Sequence, residues 1–194
     1  MDYLEIPGTS YTNAKTRYTY RIDEQENLWE YFFAIFDRLR RHLDLPFKLT
    51  QEGFASEDYP QLDALREALV NMLMHSDYFS AACPRVRVFD DRVEFFNPGA
   101  LPKPLKKLLE EDISLPRNPI IAKFFRVVKL AENAGYGFDK MINGWKEYTG
   151  SAPEFNQGQD YTKATFYFKK KGEVREGFGK DSGKAGNKWG ISGK

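Results

Sequence analysis

Hydrophobic residues recur at helical spacing in several separate parts of the chain. A single apolar stripe over residues 24–43 predicts an amphipathic helix, and similar stripes predict helices over 61–75 and 138–148. The segment 119–130 has apolar residues on almost every side, which predicts a buried helix that begins with a proline in its first turn. A short helix is expected over 105–110. The pattern therefore predicts helices along most of the chain.

Segments rich in β-forming residues lie between these helices and predict strands over 17–22 and 162–169. Two further runs, 85–89 and 92–96, are separated by two aspartates and predict a β-hairpin with arginines on one face. Prolines and a glycine predict a loop over 97–104. Helices and strands together indicate an α+β protein.

Composition and charge narrow the class of protein. The chain has 194 residues, 29 basic and 28 acidic side chains, and one cysteine, Cys83. A balanced charge gives no chain-wide attraction to nucleic acid, and a single cysteine fits a reducing compartment. The sequence shows neither a signal-peptide pattern nor a long apolar run, so we expect a cytoplasmic protein without a membrane partner.

Composition also predicts the domain organisation. Residues 171–194 are rich in glycine and lysine, which is typical of a flexible linker or tail. We expect residues 17–170 to form one domain and residues 1–16 to be an N-terminal extension. Because linkers of this composition normally join domains, the natural protein is expected to be longer.

The helix predicted over 61–75 carries the first candidate site. Glu67 and Asn71 lie one turn apart, about 40° from each other around the helix axis and opposite its apolar stripe. A carboxylate at such a position can deprotonate a water molecule, and an amide oxygen can bind Mg²⁺. The alternative is a solvated helix face without chemistry.

Two glycine turns carry the remaining candidates. Asn97 and Gly99 end the second strand of the hairpin, where a polar side chain could meet a base edge. Gly135 and Gly137 precede a helix whose free N–H groups would favour a phosphate. Each motif alone also fits an ordinary turn. The chain's two histidines and one cysteine have no metal-site spacing, and His75 is expected to interact with carbonyl groups at a helix end.

The order of these motifs resembles the N, G1 and G2 boxes of the GHKL ATPase superfamily. The resemblance is closest to bacterial transcriptional regulators with a Schlafen/AlbA-like N-terminal domain, often labelled RecG-related ATP-dependent DNA helicases. It covers residues 17–170 and rests on these segments: Arg66–Asn71, His75–Tyr78, Arg92–Gly99, Leu101–Pro102 and Arg117–Pro119.

The resemblance implies a GHKL (Bergerat-type) two-layer sandwich, in which helices cover one face of a mixed sheet. It implies that Glu67 is the general base and that Asn71 binds Mg²⁺. It also implies that Asn97 and Gly99 contact adenine and that Gly135 and Gly137 bind phosphate. Three features depart from the pattern: an asparagine stands at 97 instead of aspartate, a second glycine is missing after Gly99, and Tyr136 separates the lid glycines.

We therefore expect an ATP-binding regulatory domain, with ATP and Mg²⁺ as cofactors and weak ATPase activity left open. DNA would be contacted through other domains, and a homo-oligomer is left open. A Gly-rich phosphate loop with its lysine is absent, because the nearest string, 179–185, is one residue short, so we expect no helicase motor. The alternatives are a degenerate scaffold for dimerisation or protein contact, and direct DNA binding, which the balanced charge disfavours.

Overall fold

The structure is a computed structural model that describes residues 1–56, 58–101, 103, 107, 115–131 and 137–168. Its strands and helices follow in chain order: β1 (Asp2–Glu5), β2 (Tyr20–Arg21), α1 (Leu28–Arg40), β3 (Lys48–Leu49), β4 (Ala55–Ser56), α2 (Pro60–His75), β5 (Arg85–Val88), β6 (Arg92–Pro98), α3 (Pro119–Val127), α4 (Gly137–Thr149), β7 (Glu154–Gln157) and β8 (Tyr161–Tyr167).

Six strands form one mixed sheet in the order β2-β1-β5-β6-β8-β7, and β3 pairs with β4 in a separate hairpin. Strand β1 runs parallel to β5, whereas the other pairs in the large sheet are antiparallel. The predicted hairpin is confirmed, since Val86 pairs with Phe95 and Val88 with Val93. The protein is therefore α+β with a mixed six-stranded sheet and four helices in the part of the chain that the structure describes.

The helices begin and end where the sequence supplies local signals. The Asn27 side chain accepts a hydrogen bond from the Glu30 backbone N–H and caps α1, which starts later and ends earlier than the predicted 24–43. Pro60 occupies the first turn of α2, where a missing N–H costs nothing. The predicted helices over 61–75 and 138–148 are confirmed as α2 and α4.

One face of the sheet packs against the helices. Val86, Val93 and Phe166 on this face are fully buried and share one core with residues of all four helices. The strand residues between them face the other way and form polar pairs, such as Arg92 with Glu94 at 2.8 Å. Alternation along the strands thus separates a helix-covered face from a charged one.

Helix α3 differs from the prediction of a buried helix. Only Ala122 and Phe125 are buried, whereas Ile120 is 85% and Val127 72% exposed. The prediction was wrong because α3 packs on the domain through one side only, which includes the partly buried Ile121, whereas Ile120, Phe124 and Val127 are exposed.

Two predicted boundaries also shift. Asn97 and Pro98 continue strand β6 and pair with Thr162 and Tyr161, so the loop predicted over 97–104 begins only after Pro98. Strand β1 lies within the segment 1–16, which the sequence analysis treated as an extension.

The short helix predicted over 105–110, apart from Lys107, and the tail over 171–194 lie outside the described residues. Among the helices that the structure describes, none is long and apolar enough to cross a membrane.

Candidate functional site

Glu67 and Asn71 form a hydrogen-bonded pair on helix α2. Asn71 Nδ2 donates to Glu67 Oε1 at 3.0 Å and to the Glu67 backbone oxygen at 2.9 Å. Both neighbours of this nitrogen are acceptors, which fixes the orientation of the amide. Asn71 Oδ1 therefore points away from Glu67, and it accepts no hydrogen bond from the residues that the structure describes.

The first residue of α4 lies directly against this pair. A Cβ atom on Gly137 would stand 2.2 Å from Glu67 Oε1 and 3.3 Å from Asn71 Nδ2, so only a glycine fits here without displacing the carboxylate. Helix α4 also covers Glu67, which is 7% exposed. The pair predicted to face water or a cleft thus lies in the contact between α2 and α4.

Asn97 reaches the same helix further along, near its C-terminal end. Ser76 Oγ donates to the Met72 carbonyl oxygen at 2.6 Å, and the same hydroxyl lies within hydrogen-bonding distance of Asn97 Oδ1. A hydroxyl has one hydrogen and cannot donate to both oxygens. A half-turn of the Asn97 amide removes this conflict, since its amino group then donates to Ser76 Oγ and its oxygen is directed away from that hydroxyl.

Gly99 forms a tight turn directly after β6. Its φ of +98° lies in the left-handed region, which favours glycine. The Gly99 N–H donates to the Asp160 carbonyl oxygen at 2.7 Å, which ties the turn to the β7–β8 connection. The Arg117 guanidinium covers the Cα side of the turn, because a Cβ on Gly99 would lie 2.9 Å from Arg117 Nη2.

Arg117 and Asn118 join this turn to the end of α2. Arg117 Nη2 donates to the Ala100 carbonyl oxygen at 2.8 Å, and Nη1 lies 3.7 Å from Asp77 Oδ2. Asn118 Nδ2 donates to the carbonyl oxygens of Met74 at 3.1 Å and Ser76 at 2.8 Å. These carbonyls end the helix and have no partner within it, so Asn118 caps α2 from outside.

Neither periodicity nor composition predicts a role for Ser76, Asp77, Arg117 or Asn118. The available signal is their occurrence in the short strings His75–Tyr78 and Arg117–Pro119, which belong to the family resemblance. The structure brings both strings together with Asn97–Gly99, because Asp77 N–H donates to the Pro98 carbonyl oxygen at 2.9 Å.

The surroundings of His75 favour its neutral form. Burial at the end of α2 and, to a smaller extent, the nearby Arg117 cation together lower the pKa of His75 to about 4. Burial also raises the pKa of Tyr78, whose hydroxyl donates to the Leu73 carbonyl oxygen at 2.8 Å. At neutral pH His75 is therefore uncharged, and the Arg117 guanidinium faces the Asp77 carboxylate beside it.

The predicted site residues that the structure describes gather at two places along helix α2. Glu67, Asn71 and Gly137 meet in its middle, and Asn97 contacts Ser76 directly after its end; roughly 8 Å of helix axis separate Asn71 from Ser76. Gly135 and Tyr136 lie outside the described residues. The arrangement offers an amide oxygen, a buried carboxylate and a helix start at one place, and a strand-end amide at the other.

The groups of this site supply few protein ligands for a bound cation. In the part of the chain that the structure describes, no cluster of three or more His, Cys, Asp or Glu could hold a metal by itself. Mg²⁺ on a nucleotide takes most of its ligands from water and phosphates and needs only one or two from protein. The free Oδ1 of Asn71 fits that limited requirement.

Comparisons with known proteins support part of the expected relationship. Residues 82–166 match the sequence family described as "Putative ATP-dependent DNA helicase recG C-terminal". The matched segment contains Asn97, Gly99 and Gly137, whereas Glu67 and Asn71 precede it. No curated protein sequence matches the chain.

Solved structures share the fold. One is the crystal structure of the DIP2311 protein from Corynebacterium diphtheriae, which aligns with a TM-score of 0.68 at 17% identity. The alignment covers 87% of this chain but 34% of the other, so the present chain spans about a third of that protein's length. At this identity the likeness concerns the fold alone. The family match supports an ATPase-like domain, related to the C-terminal part of RecG-type proteins, within residues 82–166.

Proposed function

We propose that this domain binds ATP with Mg²⁺ along helix α2 and the start of α4. The observation that carries the proposal is the contact of Glu67, Asn71 and Gly137, which places a carboxylate, a free amide oxygen and a helix N-terminus at one point. In this proposal the carboxylate acts on water, the amide oxygen binds Mg²⁺, and the helix N-terminus faces the phosphates. The spacing of these three residues in the sequence does not predict that they meet. The match to an ATPase-like family over residues 82–166 supports the same conclusion.

Each residue has a defined task in this proposal. Asn71 Oδ1 binds Mg²⁺, and N–H groups in the first turn of α4 face the phosphates. Asn97 accepts a hydrogen bond from the adenine amino group through the oxygen that a half-turn of its amide exposes. Glu67 orients and deprotonates water, while bound Mg²⁺ would neutralise charge on the phosphates. The fold is then a two-layer sandwich of the GHKL type.

We further propose that the domain regulates a longer protein that acts in transcription on DNA. The similar DIP2311 protein is about three times as long as the part aligned here, which supports further domains around a unit of this kind. Arg117 and Asn118 would transmit nucleotide occupancy, because they connect the turn at Gly99 to the end of α2. DNA contact and any motor activity would belong to other domains.

A scaffold without nucleotide is the second candidate, and one observation favours it. Glu67 is 7% exposed beneath Gly137, so a water molecule reaches its carboxylate only after α4 shifts. In this reading the site residues hold α2 and α4 together, and the domain serves in protein contact.

Calorimetric titration with Mg-ATP separates the two candidates. We expect heat of binding with the wild-type protein and its loss in Asn71→Ala. Asn143→Ala is the matched control, because Asn143 is exposed on α4 and should leave binding unchanged. Absence of binding heat in the wild type, together with no thermal shift, would favour the scaffold.

Hydrolysis is tested separately through Glu67. If Glu67 is the base, Glu67→Gln keeps ATP binding but lowers the rate of phosphate release at least 10-fold, within the usual contribution of a general base. A variant that binds ATP and releases phosphate at the wild-type rate would remove Glu67 from that role.

A further inference from the structure

Helices α1 and α3 share an exposed apolar surface, which we name the α1/α3 patch. It consists of Trp29, Phe33, Ile120, Phe124 and Val127. Trp29 contacts both Phe33 and Phe124, with ring centroids 4.7 Å and 5.5 Å away, so the two helices form one continuous surface. Exposed fractions run from 38% for Trp29 to 85% for Ile120. Contiguous apolar surfaces of this kind mark interaction sites.

The charges around the α1/α3 patch differ between the segment at the start of α1 and helix α3. Residues 23–30, which lead into α1, carry four carboxylates and no basic side chain. Residues 118–131, which include α3, carry three basic side chains and no carboxylate, whereas Arg117 before them faces Asp77 at the end of α2. Lys123 and Arg126 are exposed and form no ion pair with any described residue. The patch thus has an acidic side and a basic side.

We propose that a second copy of this chain covers the α1/α3 patch in a two-fold symmetric dimer. A two-fold axis through the patch lays α1 of one copy on α3 of the other, and the reverse contact follows by symmetry. Each acidic segment 23–30 then faces a basic helix of the partner, and the aromatic residues meet at the centre. A surface that is complementary to itself in charge and apolar at its centre fits this arrangement.

Other occupants fit the charges less well. Nucleic acid would be attracted to Lys123 and Arg126 but repelled by the four carboxylates of 23–30 on the same surface. The same carboxylates oppose an anionic lipid surface. The proposal does not depend on nucleotide binding, because none of the residues of the α1/α3 patch belongs to the site formed by Glu67, Asn71 and Gly137.

Sedimentation velocity over a concentration series tests the apolar centre. We expect a monomer–dimer equilibrium for the wild-type chain and at least a 10-fold weaker dimer for the double variant Ile120→Asp/Val127→Asp. Both side chains are more than 70% exposed, so the folded monomer should persist, as circular dichroism would show. Phe79→Asp is the matched control, because Phe79 is fully exposed outside the patch and should leave the equilibrium unchanged.

Charge reversal tests the symmetry. One variant carries Glu24→Lys and Glu26→Lys, the other Lys123→Glu and Arg126→Glu, and each alone should weaken the dimer. In an equimolar mixture, a two-fold heterodimer places the introduced lysines of the first variant opposite the introduced glutamates of the second. It also places the native basic helix of the first opposite the native acidic segment of the second, so dimerisation should recover. A wild-type chain that is monomeric at every concentration would overturn the proposal. Failure of the mixture to recover while each variant is folded would do the same.

Discussion

At the scale of single residues, the end of α2 shows how a partly buried histidine is kept neutral. His75 follows Asn71 by one helical turn, and Arg117 reaches it from the segment before α3. Burial and the Arg117 cation both oppose protonation of the imidazole. The sequence analysis expected a histidine that interacts with carbonyl groups, which a helix C-terminus favours most when the ring is charged.

This environment makes stability depend on pH in a defined direction. The unfolded chain protonates His75 near its ordinary pKa of about 6.5, whereas the folded protein does so only near about 4. Acid therefore favours the unfolded state, and stability present above pH 6.5 is lost as the pH falls towards 4. The loss through His75 is about 3 kcal/mol by pH 4.

The measurement is urea unfolding at a series of pH values for the wild type and His75→Gln. Carboxylates titrate in both proteins, so the informative quantity is the difference in the free energy of unfolding between them. We expect that difference to shift in favour of the variant as the pH falls from 7 to 4. Parallel curves for the two proteins would contradict the assignment.

At the scale of elements, two glycines on one side of α4 set its distance from α2. Gly137 and Gly144 are two helical turns apart, and each lies where a side chain would clash. Gly137 faces Glu67, and a Cβ on Gly144 would stand 2.6 Å from the Pro60 carbonyl oxygen. Close packing by glycine places the start of α4 on the candidate site, so the same contact that stabilises the domain also shapes the site.

Gly144→Ala should therefore destabilise the domain, although alanine is the better helix former by about 1 kcal/mol. The atom in the way belongs to the backbone of α2 and cannot rotate aside, so we expect a net loss of roughly 1–3 kcal/mol. Thermal unfolding measures it. Asn143→Ala, at the neighbouring exposed position, is the control and should be neutral or slightly stabilising. An unchanged melting temperature in Gly144→Ala would show that α4 sits further from α2.

The same elements show what sequence could predict. Helical periodicity predicted α2 and α4, and the spacing of Glu67 and Asn71 correctly placed them on one side of a helix. It could not predict that Gly137 lies on that pair, because this contact joins residues 70 positions apart in the chain. Apolar residues all around α3 predicted a buried helix. The prediction was wrong because periodicity does not distinguish a helix in the core from a helix with an exposed apolar surface.

At the scale of the whole molecule, the first strand holds the sheet together. Strand β1 lies between β2 and β5, so it is an internal strand and not an edge. Tyr3 is 1% and Ile6 2% exposed, and Glu5 accepts three hydrogen bonds from Arg38 near the end of α1. Four residues with a charge at each end give a weak strand signal, so the hydrophobic pattern does not predict β1 within the segment 1–16.

A fragment that starts at residue 17 should therefore fail to fold. It loses the parallel pairing of β1 with β5 and the buried side chains of Tyr3 and Ile6. Removing one such side chain costs about 2–5 kcal/mol, and domains are stable by only about 5–15 kcal/mol. The contact of Gly8 N–H with Asp90 Oδ2 at 2.8 Å is lost as well, which frees the turn between β5 and β6.

Comparison of the full chain with fragment 17–194 by amide proton NMR and urea unfolding tests this expectation. Single substitutions refine it: Tyr3→Ala removes a fully buried ring, whereas Leu4→Ala truncates a partly exposed side chain on the opposite face of the same strand. Tyr3→Ala should cost several times more stability than Leu4→Ala. A fragment 17–194 with dispersed amide resonances and cooperative unfolding would mean that β1 is dispensable. The domain boundary drawn at residue 17 would then be the correct one, and the sheet would begin at β5.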